Sequence, residues 1–220
     1  MPAIKIYFDN VDVLTEHGVF LMGSKGLLEP LRFKTPYQHD WDDEHGIDID
    51  ASEMYFEERR ITLDLGIKQT TKALFKNEIF AFWDQVLNQN RLVQMRIDEH
   101  TKVNMVRCVG HKAFEKLIFW NNTLNVGKFK LDFIDPVPVN RQYKNTFTTL
   151  QSNVSVDCPT ADEDEVFDVF WGDGTKTTVS ESGGSVTSAY GSAGTYYIVV
   201  AGRMDKITTL TVTNSTEQTW

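Results

Sequence analysis

The ten residues RRITLDLGIK (59–68) set Ile61, Leu63, Leu65 and Ile67 on one side of an extended chain and Arg60, Thr62 and Asp64 on the other. Strict alternation of this kind marks a strand with one face buried and one face wet. The same period returns nearby. Ile4, Ile6 and Phe8 alternate with polar residues. So do Val93, Met95 and Ile97 in LVQMRID (92–98), and Phe129, Leu131 and Phe133 in GKFKLDFID (127–135). Several half-buried strands in one stretch of chain predict antiparallel pairing, because a parallel sheet would read as strands alternating with helices.

One segment breaks the period. In TTKALFKNEIFAFWDQVLNQN (70–90), Leu74, Phe75, Ile79, Phe82, Trp83, Val86 and Leu87 recur at spacings near three and four. That is a single apolar helical stripe, and it predicts a helix over residues 71–88. Thr70 or Thr71 can cap its start, and the Asn-rich NQN can end it. A stripe carrying two Phe and a Trp needs a broad apolar partner, and a sheet face or barrel mouth supplies one. Residues 1–140 are therefore expected to form an antiparallel β-sandwich or partly closed barrel with one packed α-helix.

The chain changes character after Thr146. Residues 1–145 hold 19 basic and 21 acidic side chains, whereas residues 146–220 hold 3 and 10. The second part is rich in Thr, Ser, Gly and Val and shows no helical period. Short alternating runs (Val154 and Val156; Phe167, Val169 and Trp171; Tyr196, Ile198 and Val200; Thr208, Leu210 and Val212) are separated by turn formers such as WGDGT (171–175), SGG (182–184) and GSAG (191–194). This density of strands and turns predicts a small β-sandwich over residues 146–220. The segment DPVPVNRQYKNT (135–146), with Pro136 and Pro138, is expected to connect the two parts.

Composition and charge exclude several classes. The 220 residues carry 22 Lys and Arg against 31 Asp and Glu, a formal charge of −9. A protein whose main task is to grip nucleic acid or an anionic membrane would carry the opposite balance. No apolar run approaches the ~18 residues that a helical membrane span needs. MPAIKIYFDN at the N-terminus lacks the apolar stretch of an export signal. Cys108 and Cys158 lie too far apart in sequence for a metal knuckle or redox pair, and both are expected to pack as small hydrophobes.

No constellation points to catalysis, to a cofactor or to a metal, and no residue is assigned to such a site. HDWDDEHGIDID (39–50) gathers two His and six carboxylates, but no frame places Gly where a calcium loop requires it, so a solvated loop ordered at a subunit interface is expected. His39, His45, His100 and His111 with Cys108 offer no telling orienting partner. Glu57 and Glu58 beside Arg59 and Arg60 are expected to form strand-end ion pairs. Gly23-Ser24-Lys25-Gly26 is too short for a phosphate loop. Arg32, Lys34, Arg59, Arg60, Arg91 and Arg96 are candidates for pairing with the acidic second part of a neighbouring copy, as a head-to-tail ring requires.

The motifs WGDGT (171–175), YGSAGTYYIVV (190–200) and LTVTN (210–214), in that order, resemble the PKD family of immunoglobulin-like domains. The turn departs from the family pattern in having no further aromatic between Trp171 and Gly172. The resemblance implies a spacer, adhesive or protein-binding module and brings no catalytic residue. Residues 1–140 resemble the N-terminal domain of distal tail proteins of long-tailed bacteriophages. The likeness lies in the order of parts: an early strand, a polar loop (34–58), a strand opening on Arg59 and Arg60, an aromatic-rich helix, a strand pair around 92–109, and a late Gly127-x-Phe129-x-Leu131-x-Phe133 strand with a Pro-containing exit.

That resemblance implies a non-enzymic virion protein made in the host cytoplasm and placed in the phage tail. It would form a homo-oligomeric ring, a hexamer, between tail tube and baseplate hub, with an outward immunoglobulin-like module. Its partners would be itself and other tail proteins, not nucleic-acid sequences or a membrane interior. A tail tube subunit with an immunoglobulin-like appendix, or a carbohydrate-binding or adhesive module, are the alternative readings.

Overall fold

The computed structural model describes residues 4–36, 38–39, 48–49, 55–87, 89–98, 100, 102–115, 125–148, 152–158, 166–179, 184–207 and 209–218. Most of the acidic stretch 39–50 and the side chains of His39, His45, His111 and Cys158 lie outside what is described. Two short strands, β4 (Gln38–His39) and β5 (Asp48–Ile49), pair with each other there.

The first sheet is built from the alternating segments. It contains β1 (Ile6–Phe8), β2 (Val11–Asp12), β3 (Val19–Lys25), β6 (Arg59–Gln69), β7 (Val93–Ile97), β8 (Val103–Glu115) and β9 (Asn125–Asp135). All neighbours are antiparallel, in the order β2-β1-β7-β8-β9-β6-β3. The sheet curls until Ile4, just ahead of β1, bridges Leu21 on β3. That single bridge joins the two margins without continuing the ladder, so the sheet stays short of a closed barrel.

Its concave face is filled by α2 (Lys72–Val86), which begins where the stripe predicts. Thr71 caps it, its hydroxyl accepting the Leu74 N–H at 3.2 Å. Phe75, Ile79, Phe82 and Val86 are buried, whereas Trp83 is half-buried and Leu74 lies exposed in the first turn. Phe82 sits among aromatic rings, 6.1 Å from Phe8 edge-on and 5.8 Å from Phe129, while Phe8 stacks on Phe133 at 5.7 Å.

A second helix departs from the one-helix expectation. The one-turn α1 (Val13–His17) starts on Asp12, whose carboxylate accepts the Leu14 and Thr15 N–H groups, and ends on Gly18 in the left-handed region at φ 67°. Five residues are too few to show a helical period, although an Asp cap and a Gly stop are both present in the sequence. His17 fastens α1 to α2 through Glu78 (3.0 Å) and Gln85 (2.9 Å).

The rest of the chain forms two facing sheets. The five-stranded one has the order β13 (Lys176–Val179), β12 (Phe167–Phe170), β15 (Gly194–Gly202), β10 (Asn140–Phe147), β17 (Thr216–Glu217). The three-stranded one runs β14 (Gly184–Tyr190), β11 (Ser152–Cys158), β16 (Thr211–Val212). Val154, Val156, Val169, Trp171, Ile198 and Val200 form the core between them. The segment expected to be a connector is mostly strand: residues 140–147 pair along β15 from Asn140↔Ala201 to Phe147↔Gly194. Tyr143, Asn145 and Phe147 turn inward, an alternation masked by polar residues that are themselves buried.

Because Phe82 fills the centre of the first core, Phe82→Ala is expected to lower stability by about 3–5 kcal/mol. Urea unfolding of the full chain checks this, and a loss below about 1 kcal/mol would contradict the packing.

Candidate functional site: the seam between the two β bodies

The most heavily built feature outside the two cores is the seam between them. Strand β8 offers Val103 and Met105. Strands β12 and β15 offer Phe170, Tyr197, Val199 and Ala201. All six are buried, and Leu92 and Val137 pack on their margin. Both sheets thus bury two faces at the seam. The sequence carries the signal: TYYIVVA (195–201) is a continuous apolar run, the mark of a strand covered on both sides.

Side-chain amides fasten the seam. Gln142, fully buried on β10, accepts the Val103 N–H at 2.9 Å and donates to the Val103 carbonyl at 2.6 Å. The pairing of β8 with β9 begins only at Arg107. The Gln142 amide therefore takes the ladder position that β9 leaves empty beside Val103, acting as a one-residue strand. Gln94, also buried, donates to the Tyr197 carbonyl at 2.7 Å. Asn10 donates to the Gly172 carbonyl at 2.9 Å.

The Asn10 contact depends on a tight turn. Asp9 (φ 48°) and Asn10 (φ 65°) join β1 to β2 as a two-residue hairpin, and Asp and Asn tolerate this left-handed geometry. Asp9 then accepts the Gln94 N–H (2.9 Å) and pairs with Arg91 (2.6 Å). Opposite lies the WGDGT turn. Asp173 closes it by accepting the Thr175 N–H (2.8 Å) and hydroxyl (2.6 Å). Gly172 (φ 82°) crowds the carbonyl that Gln94 holds: a Cβ there would stand 2.6 Å from Tyr197 O. Gly174 (φ 90°) lies against the Arg91 guanidinium.

Charge is also placed in the seam. The Arg96 guanidinium carbon lies 3.8 Å from the Tyr7 ring centroid and 5.4 Å from that of Tyr197, bridging the two bodies by cation–π contact. The six basic residues therefore divide. Arg91 and Arg96 are spent on contacts within the molecule. Arg59 donates to the carbonyls of Gly26 (3.3 Å), Leu27 (2.6 Å) and Glu29 (3.2 Å), so the expected ion pair with Glu57 or Glu58 gives way to backbone contacts. Arg60 does pair with Glu58, at 2.9 Å. Arg32, Lys34 and Arg60 remain on the surface.

The other candidates stay chemically quiet. Cys108 is half-buried, donates to the Gly110 carbonyl at 3.5 Å, and has its thiol pKa pushed up by burial, away from the nucleophilic thiolate. His100 lines a cavity of about 330 Å³ with Arg59, Lys102, Asn104 and the apolar Leu27, Leu28 and Ile97. Among the described residues, no three His, Cys, Asp or Glu side chains gather as metal ligands, and no helix is long and apolar enough to cross a membrane.

Gln142→Leu removes the latch and leaves the Val103 N–H and carbonyl buried without partners. It is expected to cost about 2–5 kcal/mol, read by denaturant unfolding, whereas Gln142→Glu should retain acceptance of the Val103 N–H and lose less at low pH.

No protein-family model matches the chain, and no curated protein matches it. Among solved structures the chain is similar to the Dit protein of SPP1, described as a paradigm of the hub adsorption apparatus in phages that infect Gram-positive bacteria. The TM-score is 0.47 at 11% sequence identity, over 97% of this chain and 96% of that one.

Proposed function

We propose that this chain is a structural protein of a long-tailed phage, a ring-forming subunit at the distal end of the tail. In this reading the curled sheet with its helix makes the ring, a hexamer seated between tail tube and hub, and the second body, which β10 extends back to Asn140, is an immunoglobulin-like module directed outward. The chain performs no bond-making step and takes no cofactor.

The observation that carries the proposal is the seam. A PKD-like spacer or adhesive module joined to a second domain needs only a flexible linker, and a relative angle that varies does it no harm. Here two buried glutamines, an asparagine, an arginine sandwiched between tyrosines and a six-residue apolar patch fix that angle. A fixed angle lets every subunit of a closed ring present its outward module, and any patch of it that meets the neighbouring copy, in the same pose. The order of strands, helix and Pro-containing exit in residues 1–140 supports the same assignment. The exposed cations Arg32, Lys34 and Arg60 face outward on paired segments at one end of the curled sheet and are available to a neighbouring copy.

Sedimentation of the purified protein should give a particle of six 25.2 kDa subunits, and negative-stain microscopy should show rings. Arg60→Glu, at a side chain 82% exposed and outside both cores, should weaken assembly tenfold or more while leaving the unfolding midpoint unchanged. A monomer at high concentration that binds a glycan would contradict the proposal.

A further inference from the structure

Asp135 ends β9 at the point where the chain leaves the first sheet. It is fully buried. One carboxylate oxygen accepts the Val137 N–H at 3.1 Å. The other has no hydrogen-bond partner among the described residues.

From there a chain of hydrogen bonds leads to the seam. The Val137 carbonyl accepts from Asn140 Nδ2 at 2.6 Å, Asn140 Oδ1 accepts from Gln142 Nε2 at 2.8 Å, and the Gln142 amide pairs with Val103. Lys102, next to Val103, reaches back to the Pro138 carbonyl at 3.4 Å. A titratable group is thus built into the circuit that holds the two bodies together.

The charged groups acting on Asp135 come from two elements. Arg59 on β6 is its register partner, but its guanidinium is committed to the carbonyls of residues 26–29. Lys102 lies in the turn between β7 and β8. His100 and Glu29 line the neighbouring cavity with both cations. Arg107 on β8 is exposed. The pull of Lys102 and Arg59 on the carboxylate is weaker than the penalty of taking it out of water. The oxygen without a hydrogen bond is the geometric sign of that imbalance.

We propose that the Asp135 carboxyl group is a proton-operated lock on the seam: protonated, it holds the connector and the Gln142 latch closed most firmly; ionised, it weakens that closure, so that an open state in which water reaches the carboxylate is visited more often while the closed state still predominates. Burial raises its pKa from 3.8 to about 6, against the opposing pull of the Val137 N–H, Lys102 and Arg59. A carboxyl group whose pKa is raised in the closed state favours that state fully below its ordinary value, and the advantage is lost as pH rises through about 6. The closed-to-open ratio should therefore fall by roughly a hundredfold at most, because that ratio changes in proportion to the difference in proton affinity between the two states.

The test uses the full chain and two readings. The Asp135 carboxyl carbon, followed by NMR, should titrate at about 6. The protection factor of the Val103 amide, from hydrogen exchange corrected for intrinsic pH dependence, should fall about tenfold between about pH 5 and pH 8. Asp135→Asn, which keeps an acceptor for Val137, should make protection independent of pH. Lys102→Met should move the carboxyl titration upward. Three results would each overturn the lock: a carboxyl titration at an ordinary carboxylate value, wild-type protection that ignores pH, or the same pH dependence in Asp135→Asn. The carboxyl titration is read on the wild-type chain, so the proposal stays testable even if a variant fails to fold.

Discussion

A sheet covered on both faces must find a partner for every polar group along its edge, and this constraint organises the molecule. Where β9 ends, Val103 would face the interior with an unpaired N–H and carbonyl. The Gln142 amide satisfies both. Because Gln142 belongs to β10 of the second body, the first body cannot complete its own sheet alone. Leaving those two groups unpaired would cost several times what the hydrogen bonds return. The second body is therefore held in one register against the first.

The same logic runs along the seam. At one end the Asp9-Asn10 hairpin meets the WGDGT turn. In the middle Gln94 holds the Tyr197 carbonyl. At the other end Gln142 holds Val103. Apolar side chains fill the space between these points. Hydrophobic burial supplies the attraction, which is indifferent to direction. The amides supply the direction. Arg96 adds a charged contact that works only while Tyr7 and Tyr197 face each other. Apart from Asp135, the residues that fasten the seam are uncharged or internally matched and largely buried, so the seam should be little affected by salt.

Much of this is legible in the sequence, and the rest is hidden for physical reasons. The period-two segments at 59–68, 92–98 and 127–135 become β6, β7 and β9, and the three-and-four stripe becomes α2. Asp173, Gly172 and Gly174 make the turn their residue types suit. What periodicity does not reveal is a polar residue facing inward. Gln94, Asn104, Gln142 and Asn145 are all buried, yet each reads as a solvent-facing position, which conceals the seam and most of β10. The unbroken apolar run at 195–201 is the available clue. Leu74 departs in the other direction, because a residue in the first helical turn can leave the core without altering the stripe. Arg59 reads as half of an ion pair in the sequence, and only three dimensions bring the 26–29 carbonyls to it.

A fixed angle between the two bodies is the central claim, and spin labels measure it most directly. Labels at Lys68 and Thr187, exposed positions on β6 and β14, placed in full-length protein diluted with unlabelled chain, report the distance between the bodies by electron spin resonance. One narrow distance distribution, broadened by Gln142→Leu, is the predicted result. A broad distribution in the unaltered protein would mean that the bodies swing freely, and the seam would then fasten nothing.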